Sequence, residues 1–235
     1  MILKFLGCGC AYRPQLGNTS AWFQTDGHLF LLDCGETVFT CLRQGSLLTC
    51  CQDITILITH SHADHIGSLP TLISYMHDVE QKPVTVCFPQ KDITAWMACC
   101  GISKYDYHLL QGTDVTLASG IDCHAFPVEH HQDLPCYGYH ITHHSKSFYY
   151  SGDARRLPPI ILEAFLHSKI DELYQDSTFL HEQGNSHGSL EALCDAIPPA
   201  LRSHVYPMHF SDDLFQEIQM KGFGLCMEKL WNGRD

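Results

Sequence analysis

Short apolar runs alternate with amphipathic segments along the chain. In the first sixty residues the runs predict strands at 1–6, 20–25, 28–33 and 53–59, with Asp26-Gly27 as a hairpin turn. A helical pattern covers 38–48. Apolar positions from Ile66 to Met76 recur at helical spacing and predict a second helix directly after the last of these strands.

The alternation continues to the C-terminus. Strands are predicted at 84–88, 115–117, 122–128, 137–141, 147–150, 172–174 and 205–207, and helices at 92–100, 162–167, 190–196 and 212–221. A polar turn at 142–146 joins two of the strands. The mixture predicts a layered α/β architecture and excludes an all-β sandwich or a helix bundle. No linker, charge run or repeat divides the chain, so we expect one domain over 1–235.

Charge and histidine content narrow the range of functions. The chain has 26 acidic residues against 14 lysines and arginines, a formal net charge of −12, and 17 histidines. A negative protein is poorly suited to grip a long nucleic acid, because that binding neutralises many phosphates. Histidine is the commonest metal ligand, so bound ions are an alternative source of local positive charge.

The cysteine pattern bears on the compartment. The 13 cysteines form an odd count with no CxxC pair, which disfavours a disulfide framework and favours free thiols in the reducing cytoplasm. The N-terminal apolar run is interrupted by Gly7 and Gly9 and does not resemble a signal peptide. No stretch approaches the roughly 20 apolar residues of a membrane span, so we expect no membrane association.

The strongest chemical signal is HSHADH at 60–65, placed between an apolar strand and an apolar helix. Residues two apart in extended backbone point to the same side, so His60 and His62 can hold one metal ion. Asp64 and His65 follow after the chain turns and can face a second ion, with Asp64 as a ligand or as the base for a bound water. The simplest alternative is a histidine-rich polar turn, but the apolar flanks favour a metal site.

This motif resembles the signature of the metallo-β-lactamase superfamily, and other segments resemble that family in chain order. They are GNTS at 17–20, DCGE at 33–36, VEH at 128–130, SGD at 151–153 and HFS at 209–211. The aspartate of the second segment, Asp33, is expected to orient a metal-binding histidine. The resemblance covers nearly the whole chain and implies a four-layer αββα sandwich.

The resemblance also implies two divalent metal ions and their ligands. His60, His62 and His130 would bind one ion, Asp64, His65 and His209 the other, and Asp153 and a hydroxide would bridge them. His131 is the alternative to His130, and the alternation with Phe126 and Val128 favours His130. Zinc is the best fit to a site dominated by imidazole, and manganese or iron also fits.

Two later segments resemble the ribonuclease Z branch and related phosphodiesterases. QDSTF at 175–179 is similar to the H-E-A-T-F element, and HGS at 187–189 is similar to H-S-T. The likeness implies that His187 protonates the leaving oxygen and that Asp176 orients it. Because Gln175 replaces the family's histidine and Asp176 its glutamate, an ordinary polar loop is the alternative.

One family feature is absent from the sequence. Ribonuclease Z inserts a basic, glycine-rich arm for tRNA between its third histidine and its bridging aspartate, whereas only 22 residues lie between His130 and Asp153. That interval contains a hairpin with His140, His143 and His144, which forms either a further metal site or a solvated turn. Arg155 and Arg156 either bind an anionic substrate at the rim or belong to a plain turn.

The sequence therefore predicts a dinuclear metal-dependent hydrolase. The leading hypothesis is a phosphodiesterase that acts on a small or flexible phosphate ester, such as a nucleotide or cyclic nucleotide, by attack of a metal-bridging hydroxide. One alternative is a carboxyl-ester, lactone or thioester hydrolase that uses the same ions on a carbonyl. Another is a non-catalytic metal-binding scaffold. We expect no broad nucleic-acid surface and consider a homodimer plausible.

Overall fold

Two β-sheets packed face to face form the centre of the computed structural model, which describes residues 3–90, 93–184, 186–211 and 213–233. Within those ranges each sheet has six strands. The first sheet contains, in spatial order, β1 (Lys4–Gly7), β2 (Ser20–Thr25), β3 (His28–Leu32), β4 (Asp53–Leu57), β5 (Val84–Cys87) and β6 (His108–Leu110). The second contains β7 (Asp114–Leu117), β8 (Ile121–Pro127), β9 (Tyr137–His143), β10 (Lys146–Tyr150), β11 (Glu172–Asp176) and β12 (Val205–Met208).

Both sheets are mixed, and helices flank them. Strands β1 to β3 are antiparallel and β3 to β6 are parallel, while β7 to β10 are antiparallel and β10 to β12 are parallel. The helices are α1 (Val38–Arg43), α2 (Leu47–Cys50), α3 (Ala63–Ile66), α4 (Leu69–Ser74), α5 (Ile93–Cys99), α6 (Pro159–Leu166), α7 (Leu190–Ala196) and α8 (Phe215–Met220). A π-helical segment, Tyr75–Glu80, continues α4, and 3-10 turns lie at Pro14–Leu16, Ala118–Gly120, Pro199–His204 and Cys226–Lys229. The predicted four-layer αββα sandwich is confirmed.

Several predicted boundaries were wrong. The helix predicted at 38–48 is divided into α1 and α2, and a Cβ at the intervening Gly45 would lie 2.1 Å from the Trp231 ring. The helix after the histidine motif is likewise divided, into α3 and α4. Strand β9 continues to His143, which shortens the predicted turn, and the short strand β6 was not predicted. Parts of the predictions at 1–6, 92–100 and 212–221 lie outside the described residues.

Apolar residues fill the space between the sheets, and hydrogen bonds tie the sheets together at one end. Phe23 of the first sheet contacts Phe148 of the second edge to face, with ring centroids 5.8 Å apart. The Tyr139 hydroxyl donates to the Ile58 carbonyl at 2.7 Å, and the Tyr137 amide donates to the Thr59 carbonyl at 3.0 Å. These bonds hold the segment after β4 against β9.

The described residues contain neither a disulfide nor a membrane-spanning helix. All 13 cysteine thiols are free. No helix in the described ranges is long and apolar enough to cross a bilayer.

The inter-sheet hydrogen bond of Tyr139 is testable by a substitution that removes one oxygen atom. Tyr139 is 1% exposed, so Tyr139→Phe leaves the Ile58 carbonyl without its donor in a buried place. We expect the free energy of unfolding to fall by about 1–3 kcal/mol in denaturant titration. The matched control, Tyr105→Phe at a residue 80% exposed, is expected to change it by less than about 0.5 kcal/mol. Equal effects would contradict a structural role for this bond.

Candidate metal centre

The ends of strands from both sheets meet at one edge of the sandwich. His60 follows the carboxyl end of β4, Asp153 follows β10, and His209 follows β12. Asp64 and His65 lie in the short helix α3, which begins directly after His62. Residues far apart in sequence are therefore brought together, as is usual at the carboxyl ends of parallel strands.

Three histidines and one carboxylate oxygen form the first donor group. His62 Nδ1 lies 2.9 Å from His60 Nε2 and 3.2 Å from His130 Nε2. Asp153 Oδ2 lies 3.7 Å from His60 Nε2 and 3.6 Å from His130 Nε2. All four donor atoms are within 4.8 Å of one another, which is compatible with their binding a single ion.

The second donor group uses the other oxygen of the same aspartate. Asp153 Oδ1 lies 3.2 Å from His65 Nε2 and 3.2 Å from His209 Nε2. Asp64 Oδ2 lies 3.5 Å from His65 Nε2 and 3.3 Å from His209 Nε2. The carboxylate of Asp153 therefore stands between two groups of donors, one at each oxygen.

The protein atoms of this cluster do not satisfy one another. His65 Nε2 and Asp153 Oδ1 are buried and have no hydrogen-bond partner among the described residues. His62 Nδ1 faces two imidazole nitrogens at once, although a single ring nitrogen carries at most one proton. Cations at the two donor groups would satisfy all of these atoms, so the residues present fit a dinuclear metal site.

Four of the five histidines are also held on the side that faces away from the donors. Asp33 Oδ2 accepts a hydrogen bond from His65 Nδ1 at 2.8 Å, and the Ser186 carbonyl accepts one from His130 Nδ1 at 2.9 Å. The threonine hydroxyls of Thr59 and Thr178 lie 3.1 Å from His60 Nδ1 and 3.0 Å from His209 Nδ1. Such contacts orient the rings and raise the basicity of a metal ligand.

The environment favours neutral imidazoles in the first group and ionised carboxylates beside it. Burial lowers the pKa of His60 well below its usual value, and it also lowers the pKa of His62 and His130. Burial opposes ionisation of Asp64 and Asp153, but their histidine neighbours hold the pKa of each carboxyl well below its usual range. Neutral imidazole and ionised carboxylate are the forms that bind metals.

Unusual backbone conformations occur at the same place. Gly152 has a φ of +57°, and a Cβ there would lie 2.6 Å from the Thr59 side chain. Asp33 and His209 adopt left-handed φ values of 62° and 66° without being glycine. Strained conformations of this kind cluster at functional sites, where the surrounding structure imposes them.

The structure distinguishes His130 from its neighbour by position. His130 lies in the first donor group, whereas His131 is exposed and its ring centroid is 5.7 Å from that of His62. The alternation argument does not apply, because β8 ends at Pro127 and the histidines are in the following loop. A backbone hydrogen bond from Arg155 to the Glu129 carbonyl, 2.8 Å long, helps to hold that loop instead.

A histidine–aspartate pair stands beside the donor groups. His187 Nδ1 donates to Asp176 Oδ2 at 2.8 Å and lies 3.9 Å from Asp153 Oδ2. Asp176 is fully buried and also accepts from the Thr178 hydroxyl at 2.7 Å. Burial lowers the pKa of His187, but the bond to Asp176 and the charges of both aspartates outweigh it and raise the pKa to about 9. The structure thus brings both residues together beside the donor groups, and the roles that the ribonuclease Z likeness implies for them stay a prediction.

A comparison with protein families supports this arrangement of the donor groups. Residues 28–210 match the family model described as the beta-lactamase superfamily domain. The chain belongs to this superfamily. The described fold and the positions of the donor groups are consistent with membership.

Three similar proteins illustrate the range of the superfamily. The anti-Pycsar protein Apyc1 of Paenibacillus harenae is 26% identical over 229 residues, covering 92% of each chain. Ribonuclease Z of Agathobacter rectalis is 29% identical over 135 residues, covering 54% of this chain and 44% of that protein. The structure of the metallo-beta-lactamase fold protein YhfI from Bacillus subtilis has a TM-score of 0.74 at 17% identity, covering 95% of this chain and 93% of that chain.

Some residues that support the candidate metal centre were not predicted from the sequence. Thr59 donates its amide and hydroxyl to Asp33, Thr178 contacts His209, and the Ser186 carbonyl contacts His130. The position of Thr59 directly before the histidine motif was the signal that could have identified it. The carbonyl of Ser186 had no signal, because every residue has a carbonyl.

The contact between Asp33 and His65 leads to a prediction about metal affinity. Asp33→Asn keeps the shape but removes the charge that orients His65, so we expect zinc affinity to fall by about 10–100-fold in competition with a chromogenic chelator. The control is Asp53→Asn. Asp53 pairs with His28 at the same distance, 2.8 Å, but this pair lies where β3 and β4 begin, at the end away from the donor groups. An equal loss in both variants would contradict the role of Asp33.

Proposed function

We propose that the protein is a dinuclear metal-dependent phosphodiesterase that acts on a small or short phosphate ester such as a nucleotide. One observation carries the proposal: the two oxygens of Asp153 face separate donor groups, and the pair of His187 and Asp176 lies beside them. Paired metal ions with an adjacent general acid are a recurring arrangement for cleavage of phosphate diesters.

The proposed ligands are those named from the sequence. His60, His62 and His130 would hold one ion, Asp64, His65 and His209 the other, and Asp153 both. The imidazole-rich donors favour zinc, with manganese or iron as alternatives. Such ions supply a nucleophile at neutral pH and offset charge on the phosphate oxygens. We assign to the ionised carboxylate of Asp64 the orientation of the attacking water.

We assign the leaving-group proton to His187. Its Nδ1 is engaged by Asp176, so the remaining ring nitrogen, Nε2, is the one available to a substrate. With a pKa raised to about 9, the ring carries a proton at neutral pH. Proton transfer from Nε2 of His187 to the departing alkoxide lowers the barrier most when that alkoxide is a strong base. Asp176 positions the ring and stabilises its charged form.

The charge of the chain supports a small substrate. With a net charge of −12, the protein has few cations to neutralise phosphates outside the centre. The interval between His130 and Asp153 is occupied by the short hairpin of β9 and β10, in place of the basic arm that ribonuclease Z uses for tRNA.

The free thiols support a cytoplasmic location. That the protein forms a homodimer remains a prediction.

The proposed acid can be tested by varying the leaving group. For His187→Ala we expect cleavage of methyl phosphodiesters, with a strongly basic leaving oxygen, to slow by about 10²–10⁴-fold. Cleavage of bis(p-nitrophenyl) phosphate should slow much less, because nitrophenolate leaves without a proton. His181→Ala is the control, since that exposed histidine pairs with Glu191. A loss independent of the leaving group would contradict the assignment.

The reaction class can be tested with a substrate panel. Purified protein should contain close to two transition-metal ions per chain and cleave bis(p-nitrophenyl) phosphate and cyclic nucleotides faster than p-nitrophenyl acetate, lactones or thioesters. Asp64→Ala should abolish that cleavage. Faster turnover of the carbonyl substrates would favour the ester-hydrolase alternative, and metal content without any turnover would favour the non-catalytic scaffold.

A further inference from the structure

A row of histidine and aspartate side chains lies on the second sheet, away from the candidate metal centre. Asp114 of β7 is directly opposite His124 of β8, and His124 is directly opposite His140 of β9. The strand neighbours Cys123 and Ile141 are buried in the core, so the row faces the other side of the sheet. Opposed side chains on adjacent strands have Cβ atoms about 4.5–5.5 Å apart, so two imidazoles there can reach one ion.

The hydrogen bonds of the row leave one nitrogen of each histidine ring unpaired, and that of His140 is buried. His124 Nδ1 donates to Asp114 Oδ1, which leaves His124 Nε2 free of that contact. His140 Nε2 has no hydrogen-bond partner in the part of the chain that the structure describes. Burial lowers the pKa of His140, and the nearby His124 lowers it further, so the ring is neutral. A carboxylate behind a histidine, with the far nitrogen directed to an ion, is a common arrangement at metal sites.

The surrounding surface has room for an ion and its waters. A cavity of about 310 Å³ is lined by the row and by Asp122 and Thr142. The His124 side chain is 40% exposed, so the His124 side of the pair is open to solvent. Thr116 donates to Asp122 Oδ1 and leaves the second carboxylate oxygen for a metal-bound water.

We propose that His124 and His140 bind one divalent transition-metal ion of the zinc, nickel or copper class through their Nε2 atoms. Asp114 is a positioning residue that orients His124, and water completes the coordination. Imidazole donors select these ions over magnesium and calcium. The bound ion joins β8 to β9 and stabilises the folded state, because it requires both strands in register. His143 and His144 lie at the end of the hairpin and take no part.

The test titrates Ni²⁺ into protein previously adjusted to two zinc ions per chain. Calorimetry should give one Ni²⁺ per chain with the zinc content unchanged. His124→Asn and His140→Asn should each lower the Ni²⁺ affinity by about 10-fold or more, and Asp114→Asn by about 10-fold. His28→Asn is the matched control, because His28 also pairs with an aspartate, Asp53, and should leave Ni²⁺ binding unchanged.

A measurement on the unmodified chain guards against unfolding of the variants. Paramagnetic Ni²⁺ should broaden the amide NMR signals of β8 and β9 before any others. Absence of Ni²⁺ binding, broadening elsewhere, or equal affinity in the two histidine variants and the wild type would overturn the proposal. Displacement of zinc would show that Ni²⁺ enters the candidate metal centre instead.

Discussion

The candidate metal centre depends on the way the two sheets are tied together at one end. The Tyr137 amide bonds to the Thr59 carbonyl, and the Tyr139 hydroxyl bonds to the Ile58 carbonyl. The residue after Thr59 is His60, so these bonds from the second sheet hold the start of the histidine motif. Without this register, the donors from β4 would not face those that follow β10 and β12.

The same edge concentrates groups that are costly to bury without partners. Unpartnered His65 Nε2 and Asp153 Oδ1 oppose stability, as do left-handed φ values at Asp33 and His209. Cations at the donor groups would convert that cost into binding energy, because they would satisfy polar atoms that the chain itself does not. A scaffold selected for stability alone would replace such a cluster with apolar residues, so its presence favours a metal-binding role.

Local patterns predicted most elements, and the errors have physical causes. Strands β2 and β3 and helix α7 were predicted closely, because strand alternation and helical spacing depend on near neighbours. The helix at 38–48 is divided beside Gly45, where the distant Trp231 approaches closely. Strand β6 has only three residues, His108–Leu110, and pairs along an edge, so its local pattern was too short to recognise.

The sequence by itself determined the fold class and the superfamily, because the spacing of HSHADH and the order of the other motifs are local and specific. Only the tertiary structure decided which atoms meet. The loop after β8, rather than strand alternation, places His130 in the donor group. The contact between His130 and the Ser186 carbonyl could not be predicted from the sequence, because every residue has a carbonyl. The pairing of His124 with His140 also depends on strand register, which contacts between distant segments set.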